Sequence, residues 1–158
     1  MRKTVEIQVP AKVNLQLSVG PKKADGYHEV VTVFQAISLT DTLRISHADQ
    51  FGISIKGDFT NGVPLDKSNL VYKAVELMSE KFDTEKTIHI EINKNIPVAG
   101  GMAGGSADAA ATLLGIDALY GLGLSKDELG EVARKLGSDV PFMLHGGTAV
   151  GRGHGDEI

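Results

Sequence analysis

One glycine-rich stretch constrains this chain more than any other part of its sequence. Four glycines lie within six residues, namely Gly100, Gly101, Gly104 and Gly105. The alternating segment 87–92 precedes them and predicts a strand, and the run of helix formers after them predicts a helix over 105–120. A backbone without Cβ atoms lets N–H groups converge on an anion, and the first turn of a helix adds further free amides. The order therefore favours a phosphate-binding loop; the alternative is a flexible connection between two core elements.

The loop differs from the two best-known phosphate-binding motifs. No Gly-Lys-Ser or Gly-Lys-Thr sequence closes it, which excludes a Walker A loop. Its glycine spacing also departs from the dinucleotide-binding fingerprint, and no acidic residue ends a following strand at the required distance. The nature of the ligand must therefore be sought in the rest of the chain.

The composition argues against several classes of function. The 158 residues are the length of one domain, and the formal net charge of −4 argues against nucleic-acid and membrane-surface partners. The chain has no cysteine, which excludes disulfides and thiolate zinc sites, and its histidines lack metal-ligand spacing. No apolar run approaches the roughly 18 residues of a membrane span, so we expect a cytoplasmic protein.

The hydrophobic pattern predicts strands first, then helices mixed with short strands, which indicates an α+β fold. Residues 5–19 form two strand patterns, or one strand with a bend near Pro10. Further strands are predicted at 30–39, 42–46, 51–55, 87–92, 141–144 and 148–150. Helices are predicted over 68–82, 105–120 and 125–137. The second helix is apolar nearly all round, so we expect it to be buried at the centre of the domain.

Three segments outside the glycine loop carry polar side chains suited to chemistry. Lys12 and Asn14 share one face of a strand, as a fixed ammonium near a phosphate or as part of an exposed polar face. Tyr27 and His28 offer a stacking ring and a hydrogen-bonding ring, or simply flank a turn. Asp139 follows a helix end and precedes a predicted strand. It is either a turn residue or a carboxylate that takes a proton from an attacking hydroxyl.

The last eight residues, 151–158, are polar and glycine-rich, with neither a helix cap nor a closing strand pattern. Such a segment is typical of the start of a connection. We therefore expect the chain to be a fragment that ends at a boundary between two parts of a longer protein.

Four segments, taken together, resemble the GHMP kinase superfamily. They are 10–15 (Pro-Ala-Lys-Val-Asn-Leu), 25–28 (Asp-Gly-Tyr-His), the glycine loop with its helix start over 97–109, and 137–142 (Gly-Ser-Asp-Val-Pro-Phe). The resemblance extends over essentially all of residues 1–158. It implies the N-terminal GHMP domain, an α+β fold similar to the second domain of ribosomal protein S5, with two layers and a buried glycine-loop helix.

The resemblance also implies a set of site residues. Asp139 matches the general base, Lys12 its partner that polarises the substrate hydroxyl, and Asn14, Tyr27 and His28 match substrate contacts. Asn69 and Leu70 match the border of the adenine pocket. The residues matching the loop that holds the phosphates of ATP are Pro97, Val98, Ala99, Gly100, Gly101, Met102, Ala103, Gly104, Gly105, Ser106 and Ala107. Mg²⁺ would accompany ATP, and no protein ligand for it is identified.

Within the superfamily, residues 26–28 and 137–141 are most similar to a kinase that transfers phosphate to the 2-hydroxyl of a cytidine diphosphate alcohol in non-mevalonate isoprenoid synthesis. The superfamily has a C-terminal domain that nothing here matches, so the resemblance implies a truncated enzyme whose apolar interdomain face allows self-association. The alternatives are a mevalonate or homoserine type of kinase and a non-catalytic nucleotide-binding domain. A third is an RNA-binding domain of similar shape, which the acidic charge opposes.

Overall fold

A mixed sheet forms one layer of the fold in the computed structural model, which describes residues 2–24 and 26–158. Its strands are β1 (Thr4–Lys22), β2 (His28–His47), β3 (Gly52–Gly57), β4 (Ile88–Lys94) and β5 (Thr148–Gly151). Their order is β1-β2-β4-β3, and β5 pairs with the first half of β2, beyond the stretch that pairs with β4. Neighbouring strands are antiparallel except for β3 and β4, which are parallel.

The two long strands, β1 and β2, contain bulges, and each strand covers a stretch in which the hydrophobic alternation of the sequence is interrupted. Residues 5–19 lie in the single strand β1, whose pairing with β2 shifts register between Pro10 and Lys12 and again between Asn14 and Gln16. Bulges of this kind let a strand bend while its neighbours stay paired. The predicted strands 30–39 and 42–46 likewise merge into β2. Of the two readings of residues 5–19, one bent strand is correct.

The four helices are α1 (Leu70–Phe82), α2 (Gly104–Tyr120), α3 (Lys126–Leu136) and α4 (Val140–His145). Helices α2 and α4 contact the strands of the sheet, and α1 and α3 contact α2. In β4 the buried residues alternate with outward-facing ones, as expected for a strand covered on one side only. Helix α2 contacts the other three helices together with β1 and β2, and most of its residues are buried. The α+β class and the central position of the glycine-loop helix are therefore confirmed.

Local signals set the helix ends. Asn69 caps α1, because its side chain accepts a hydrogen bond from the N–H of Val71. Ser125 and Glu128 form the capping box that begins α3. Helix α2 ends at Gly121, whose φ of 68° is a left-handed conformation that glycine adopts without strain. Among the residues described here, no helix has the length and apolar character needed to cross a bilayer.

The prediction of a strand at 141–144 is wrong, because these residues form α4. Pro141 lies in the first turn, where its missing N–H costs nothing, and Gly146 caps the other end. A run of four apolar residues has no periodicity that separates a buried strand from a buried helix. Asp139 consequently stands at the N-terminus of a helix rather than before a strand.

Residues 151–158 fold back on the sheet instead of leading away from it. Arg152 forms an isolated bridge with Glu157, and the N–H of Val30 donates to the carbonyl of Gly153 over 2.9 Å. The expectation of a segment without closing strand contacts is therefore wrong. Backbone pairing after a glycine-rich turn depends on partners distant in sequence, which a local pattern does not reveal.

Candidate functional site

A cavity of about 460 Å³ opens between the glycine loop, the start of α1 and the middle of β1. Of the residues predicted to bind ATP, those lining it are Pro97, Val98, Ala99, Gly100, Gly101, Ala103, Gly104, Gly105, Ser106, Asn69 and Leu70. Two do not line it. The carbonyl of Met102 accepts from the N–H of Lys12, and Ala107 is buried in α2.

The loop presents its backbone through alternating left-handed residues. Ala99, Gly101 and Ala103 have φ values of 59°, 72° and 56°. Alternation of right- and left-handed residues turns successive N–H groups toward one point and forms an anion-binding concavity. Two of the three are alanines, for which this conformation costs energy, and such strain is concentrated at functional sites. The first amides of α2, which begins directly after Ala103, have no partner within the helix.

Close packing, rather than a left-handed backbone conformation, requires glycine at position 104. A Cβ atom on Gly104 would lie 2.7 Å from Lys94 Nζ and 3.0 Å from Cγ2 of Ile96. On Gly105 it would meet nothing closer than a Leu70 carbon at 4.0 Å. Glycine at position 104 therefore allows the start of α2 to approach the end of β4.

Lys12 and Asp139 lie together at this cavity although 126 positions separate them in the sequence. Lys12 Nζ is 3.9 Å from Asp139 Oδ2, and both residues line the cavity with the loop. Lys12 is buried, at 6% exposure, so the alternative of an exposed polar strand face is wrong for it. Its N–H donates to the Met102 carbonyl over 3.2 Å, which ties β1 to the loop.

Asn14 belongs to a hydrogen-bonded chain that begins at Lys12. Lys12 Nζ donates to Asn14 Oδ1 over 2.7 Å, and Asn14 Nδ2 donates to Thr32 Oγ1 over 2.7 Å. Thr32 Oγ1 in turn donates to the carbonyl of Gln16 over 2.8 Å. Thr32 was not predicted as a site residue. Its only sequence signal is a polar residue on the inward face of β2, between Val30 and Phe34.

Tyr27 and His28 do not line the cavity, because His28 pairs with Lys22 at one end of the β1–β2 pair whereas Lys12 lies near its middle. The Tyr27 ring is 61% exposed and stacks on His154 with ring centroids 4.7 Å apart. His28 Nδ1 is hydrogen-bonded to the carbonyl of Gly20 over 2.8 Å. Asp25, the first residue of that motif, lies outside the described residues. The stacking partner, His154, was not predicted.

Asn69 lines the cavity with its side chain already engaged. Its Oδ1 accepts from the N–H of Val71 over 2.8 Å, and its Nδ2 donates to the carbonyl of Pro64 over 2.7 Å. The residue thereby holds the start of α1 against the preceding loop. This contact fixes the position of Leu70 at the cavity wall.

A buried charge cluster beneath the loop was missed entirely. Lys94 Nζ donates to Asp41 Oδ2 and lies 2.9 Å from Asp108 Oδ2. Burial raises the pKa of Asp108 to about 8; the Lys94 ammonium acts to lower it and the Asp41 carboxylate adds to the rise. A sequence signal existed, because Lys94 continues the inward series of Ile88, Ile90 and Ile92, and a lysine in such a series needs buried partners.

The chain is similar in sequence to known proteins. The family described as "GHMP kinases N terminal domain" matches residues 69–147. Two relatives named 4-diphosphocytidyl-2-C-methyl-D-erythritol kinase, from Rhodococcus jostii and Kineococcus radiotolerans, are 53% and 51% identical. Each match covers 98% of this chain but 50% and 49% of the relative. The chain therefore spans about half the length of these curated relatives.

Solved structures agree on the fold. A crystal structure of 4-(cytidine 5'-diphospho)-2C-methyl-D-erythritol kinase matches with a TM-score of 0.77 and 39% identity, over 97% of this chain and 53% of that one. A homoserine kinase from Cytophaga hutchinsonii matches with a TM-score of 0.69 at 21% identity, over 98% of this chain and 50% of the other. At 21% identity, the match to the homoserine kinase supports the fold alone. The family match spans half of the sequence and includes the glycine loop, so the chain belongs to the GHMP kinase family.

Proposed function

We propose that residues 1–158 form the N-terminal, ATP-binding domain of a kinase that phosphorylates the 2-hydroxyl of 4-diphosphocytidyl-2-C-methyl-D-erythritol. The observation that carries this is the 3.9 Å approach of Lys12 to Asp139 in the same cavity as the glycine loop. The names of the relatives, at 53% and 51% identity, support the substrate. A cytoplasmic location accords with this chemistry and with a chain that has no cysteine.

The glycine loop would hold the phosphates of ATP. Its left-handed residues and the free amides at the start of α2 direct N–H donors and the positive end of a helix dipole at an anion. Asn69 and Leu70 would border the adenine from the start of α1. Phosphoryl transfer needs mainly positioning and charge compensation, which such a loop supplies without a covalent intermediate.

Asp139 would act as the general base. The substrate hydroxyl oxygen forms a bond to the γ-phosphorus, the bond to the β-phosphate oxygen breaks, and ADP leaves. The hydroxyl proton passes to the Asp139 carboxylate, which is one third exposed and therefore within reach of a substrate. Lys12 is held by Asn14 and would polarise the hydroxyl while offsetting the charge of the phosphates.

Magnesium would enter with ATP. The residues described here contain no group of three or more histidine, aspartate or glutamate side chains that could hold a metal ion by themselves. Mg²⁺ in ATP-dependent enzymes binds mainly to phosphate oxygens and water, with one or two carboxylates, so it does not require such a group. Its contribution is charge, which stabilises the transferring phosphoryl group.

Asn14, Tyr27 and His28 would contact the substrate. Asn14 adjoins Lys12 near the reacting hydroxyl, whereas Tyr27 and His28 would contact the cytosine at the end of the β1–β2 pair where Lys22 pairs with His28. The exposed Tyr27 ring, stacked on His154, offers a plane beside which a flat base can stack. Neither mevalonate nor homoserine carries an aromatic base, so this contact would distinguish the cytidine alcohol from those two substrates.

The same end of the β1–β2 pair would also mediate self-association of this chain. Leu15, Leu17 and Val19 are 63%, 56% and 60% exposed at alternate positions of β1, where they form an apolar strip. A contiguous exposed apolar surface of this kind favours contact between copies. Sedimentation of the wild type and of Leu17→Lys tests it: a concentration-dependent dimer that the variant lacks supports the contact, and two monomers contradict it.

The function is tested by phosphoryl transfer from ATP. Transfer is measured with the chain alone and with the C-terminal half of the Rhodococcus jostii relative added, using the cytidine alcohol, mevalonate and homoserine as acceptors. We expect transfer to the cytidine alcohol only. Preferred transfer to mevalonate or homoserine contradicts the substrate, and failure of the chain to bind ATP by calorimetry contradicts the kinase function itself.

A further inference from the structure

A buried cluster of one ammonium group and two carboxylates lies beneath the glycine loop, and the proposed transfer makes no use of it. Its members, Lys94, Asp41 and Asp108, are 2%, 0% and 3% exposed. They come from β4, β2 and α2, and Lys94 Nζ contacts both carboxylates. The ammonium thus joins three elements at one point.

The cluster holds the glycine loop at both ends. Before the loop, Asp41 Oδ1 accepts from the N–H groups of Asn95 and Ile96 over 2.6 Å and 2.8 Å. After it, Asp108 lies one helical turn beyond Gly104, the residue whose missing Cβ leaves room for Lys94 Nζ. Lys94 and Asp108 both belong to the cavity wall. A change of charge in the cluster therefore acts at close range on whatever the loop binds.

The cluster contains one carboxylate more than it contains cations. If both were ionised, a negative charge would be buried without a counter-charge, which is costly. Asp108 Oδ1 is the buried side-chain atom without a hydrogen-bond partner among the described residues. Lys94 and Asp41 act on Asp108 directly, and Lys12 and Asp139 line the same cavity from β1 and from the start of α4. The pKa of about 8 that burial gives Asp108 agrees with a carboxyl group that keeps its proton near neutral pH.

We propose that anion binding at the glycine loop is coupled to protonation of Asp108, which makes Asp108 a positioning residue that acts through Lys94. The inference rests on the proposed function, because the anion concerned is the phosphate chain of ATP. A bound anion disfavours a second buried negative charge, since little water screens their repulsion. When Asp108 takes a proton from solvent, Lys94 and Asp41 remain as a neutral pair that does not oppose the phosphates.

The test is calorimetry of Mg²⁺–ATP binding to the 158-residue chain at pH 7, 8 and 9, in buffers of different ionisation enthalpy. Such a series gives the number of protons taken up on binding. The second pKa of a phosphate monoester is about 6, so at pH 8 uptake reports on the protein. We expect uptake of about 0.5 proton at pH 8 and about 0.1 at pH 7, with affinity about tenfold weaker at pH 9 than at pH 7.

Asp108→Asn is the matched control, because asparagine has the same shape and is permanently neutral. We expect this variant to bind ATP without the extra proton uptake, and with affinity that changes by less than about twofold between pH 7 and pH 9. Carbon-13 NMR of the wild-type aspartate carboxyl groups gives a second readout that does not depend on the folding of the variant. The Asp108 midpoint is expected to rise when ATP is added.

The outcomes separate the two proposals. Equal proton uptake in both proteins, or a carboxyl midpoint that ATP does not move, overturns the coupling and leaves the kinase function standing. Absence of ATP binding at every pH overturns the kinase function, and the coupling falls with it.

Discussion

Two lysine–carboxylate groups share one cavity, and they differ in burial and in charge balance. Lys12 faces a single carboxylate, Asp139, at 3.9 Å, and that carboxylate is one third exposed. Lys94 contacts Asp41 and Asp108, and neither carboxylate side chain is more than 4% exposed. The first group is loosely paired and open to a substrate, whereas the second is closed and holds backbone in place.

This difference assigns separate tasks to similar side chains. A general base needs a carboxylate that a hydroxyl group can reach, and a loosely held Asp139 meets that need. A loop that binds phosphate needs fixed ends, which the tightly bonded Asp41 supplies to Asn95 and Ile96. Substitutions in the two groups should therefore affect different quantities, with activity lost in one and stability lost in the other.

The largest expected effect separates the two groups by activity. Replacing Asp139 by Asn removes the proposed proton acceptor, so kcat should fall by about 10²- to 10⁴-fold. Stability and ATP affinity should change little, because Asp139 makes no side-chain capping bond to α4. Transfer kinetics and calorimetry measure both, with Asp127→Asn on an exposed surface as the control. Wild-type turnover in Asp139→Asn would remove the assignment of the base.

The second prediction compares two lysines on adjacent strands. Lys94→Met leaves the Asp41 carboxylate and the Asp108 carboxyl group buried without their cation, and the free energy of unfolding should fall by about 3 to 5 kcal/mol. Lys56→Met removes an exposed pair with Glu91, and it should cost less than about 1 kcal/mol. Urea unfolding of both variants gives the comparison. If the two losses were equal, the Lys94 cluster would not hold the fold as described.

The third prediction uses pH to examine the closed group. The folded-state pKa of Asp108 is raised from 3.8 to about 8, so between these values the folded chain keeps a proton that the unfolded chain releases. Wild-type stability should therefore fall with rising pH in this window, by about 1.4 kcal/mol per pH unit for this group. Asp108→Asn removes that contribution.

The measurement is the stability difference between Asp108→Asn and the wild type, from urea unfolding at pH 5, 6, 7 and 9. The variant should gain on the wild type by about 1.4 kcal/mol per unit between pH 5 and pH 7, and the gain should level off above pH 8. Groups other than Asp108 cancel in the difference. A difference independent of pH would show that Asp108 ionises in the folded chain as it does in the unfolded one.

The sequence predicted the open group and missed the closed one, for physical reasons. Lys12 and Asp139 lie in short motifs, and the resemblance of those motifs to a family predicts that both belong to one site. Lys94 and Asp108 lie inside an alternating strand and an apolar helix, where the pattern predicts core. Their partnership with Asp41 depends on the pairing of β2 with β4, and such long-range pairing is not visible in a local pattern.

The secondary structure was likewise predicted where the signal is local and missed where it depends on distant residues. The helices predicted over 68–82, 105–120 and 125–137 lie within about two residues of the observed bounds. Residues 141–144 were assigned to a strand because four apolar residues carry no period, and only packing against α2 decides their state. The turn of 151–158 onto Val30 was equally invisible, since it depends on a distant strand.

The smallest effect concerns the point where the closed group meets the loop. Gly104→Ala places a Cβ atom 2.7 Å from Lys94 Nζ and 3.0 Å from Ile96, so the start of α2 or the lysine must shift. Overpacking of this kind costs about 1 to 3 kcal/mol. Gly130→Ala, in α3 and outside the glycine loop, is the matched control, because its Cβ would meet nothing closer than Arg134 Nη1 at 3.6 Å and alanine favours the helix. Urea unfolding and ATP calorimetry should show both losses in Gly104→Ala and neither in Gly130→Ala. Equal behaviour of the two variants would mean that the loop tolerates displacement of Lys94, and that the closed group does not set its geometry.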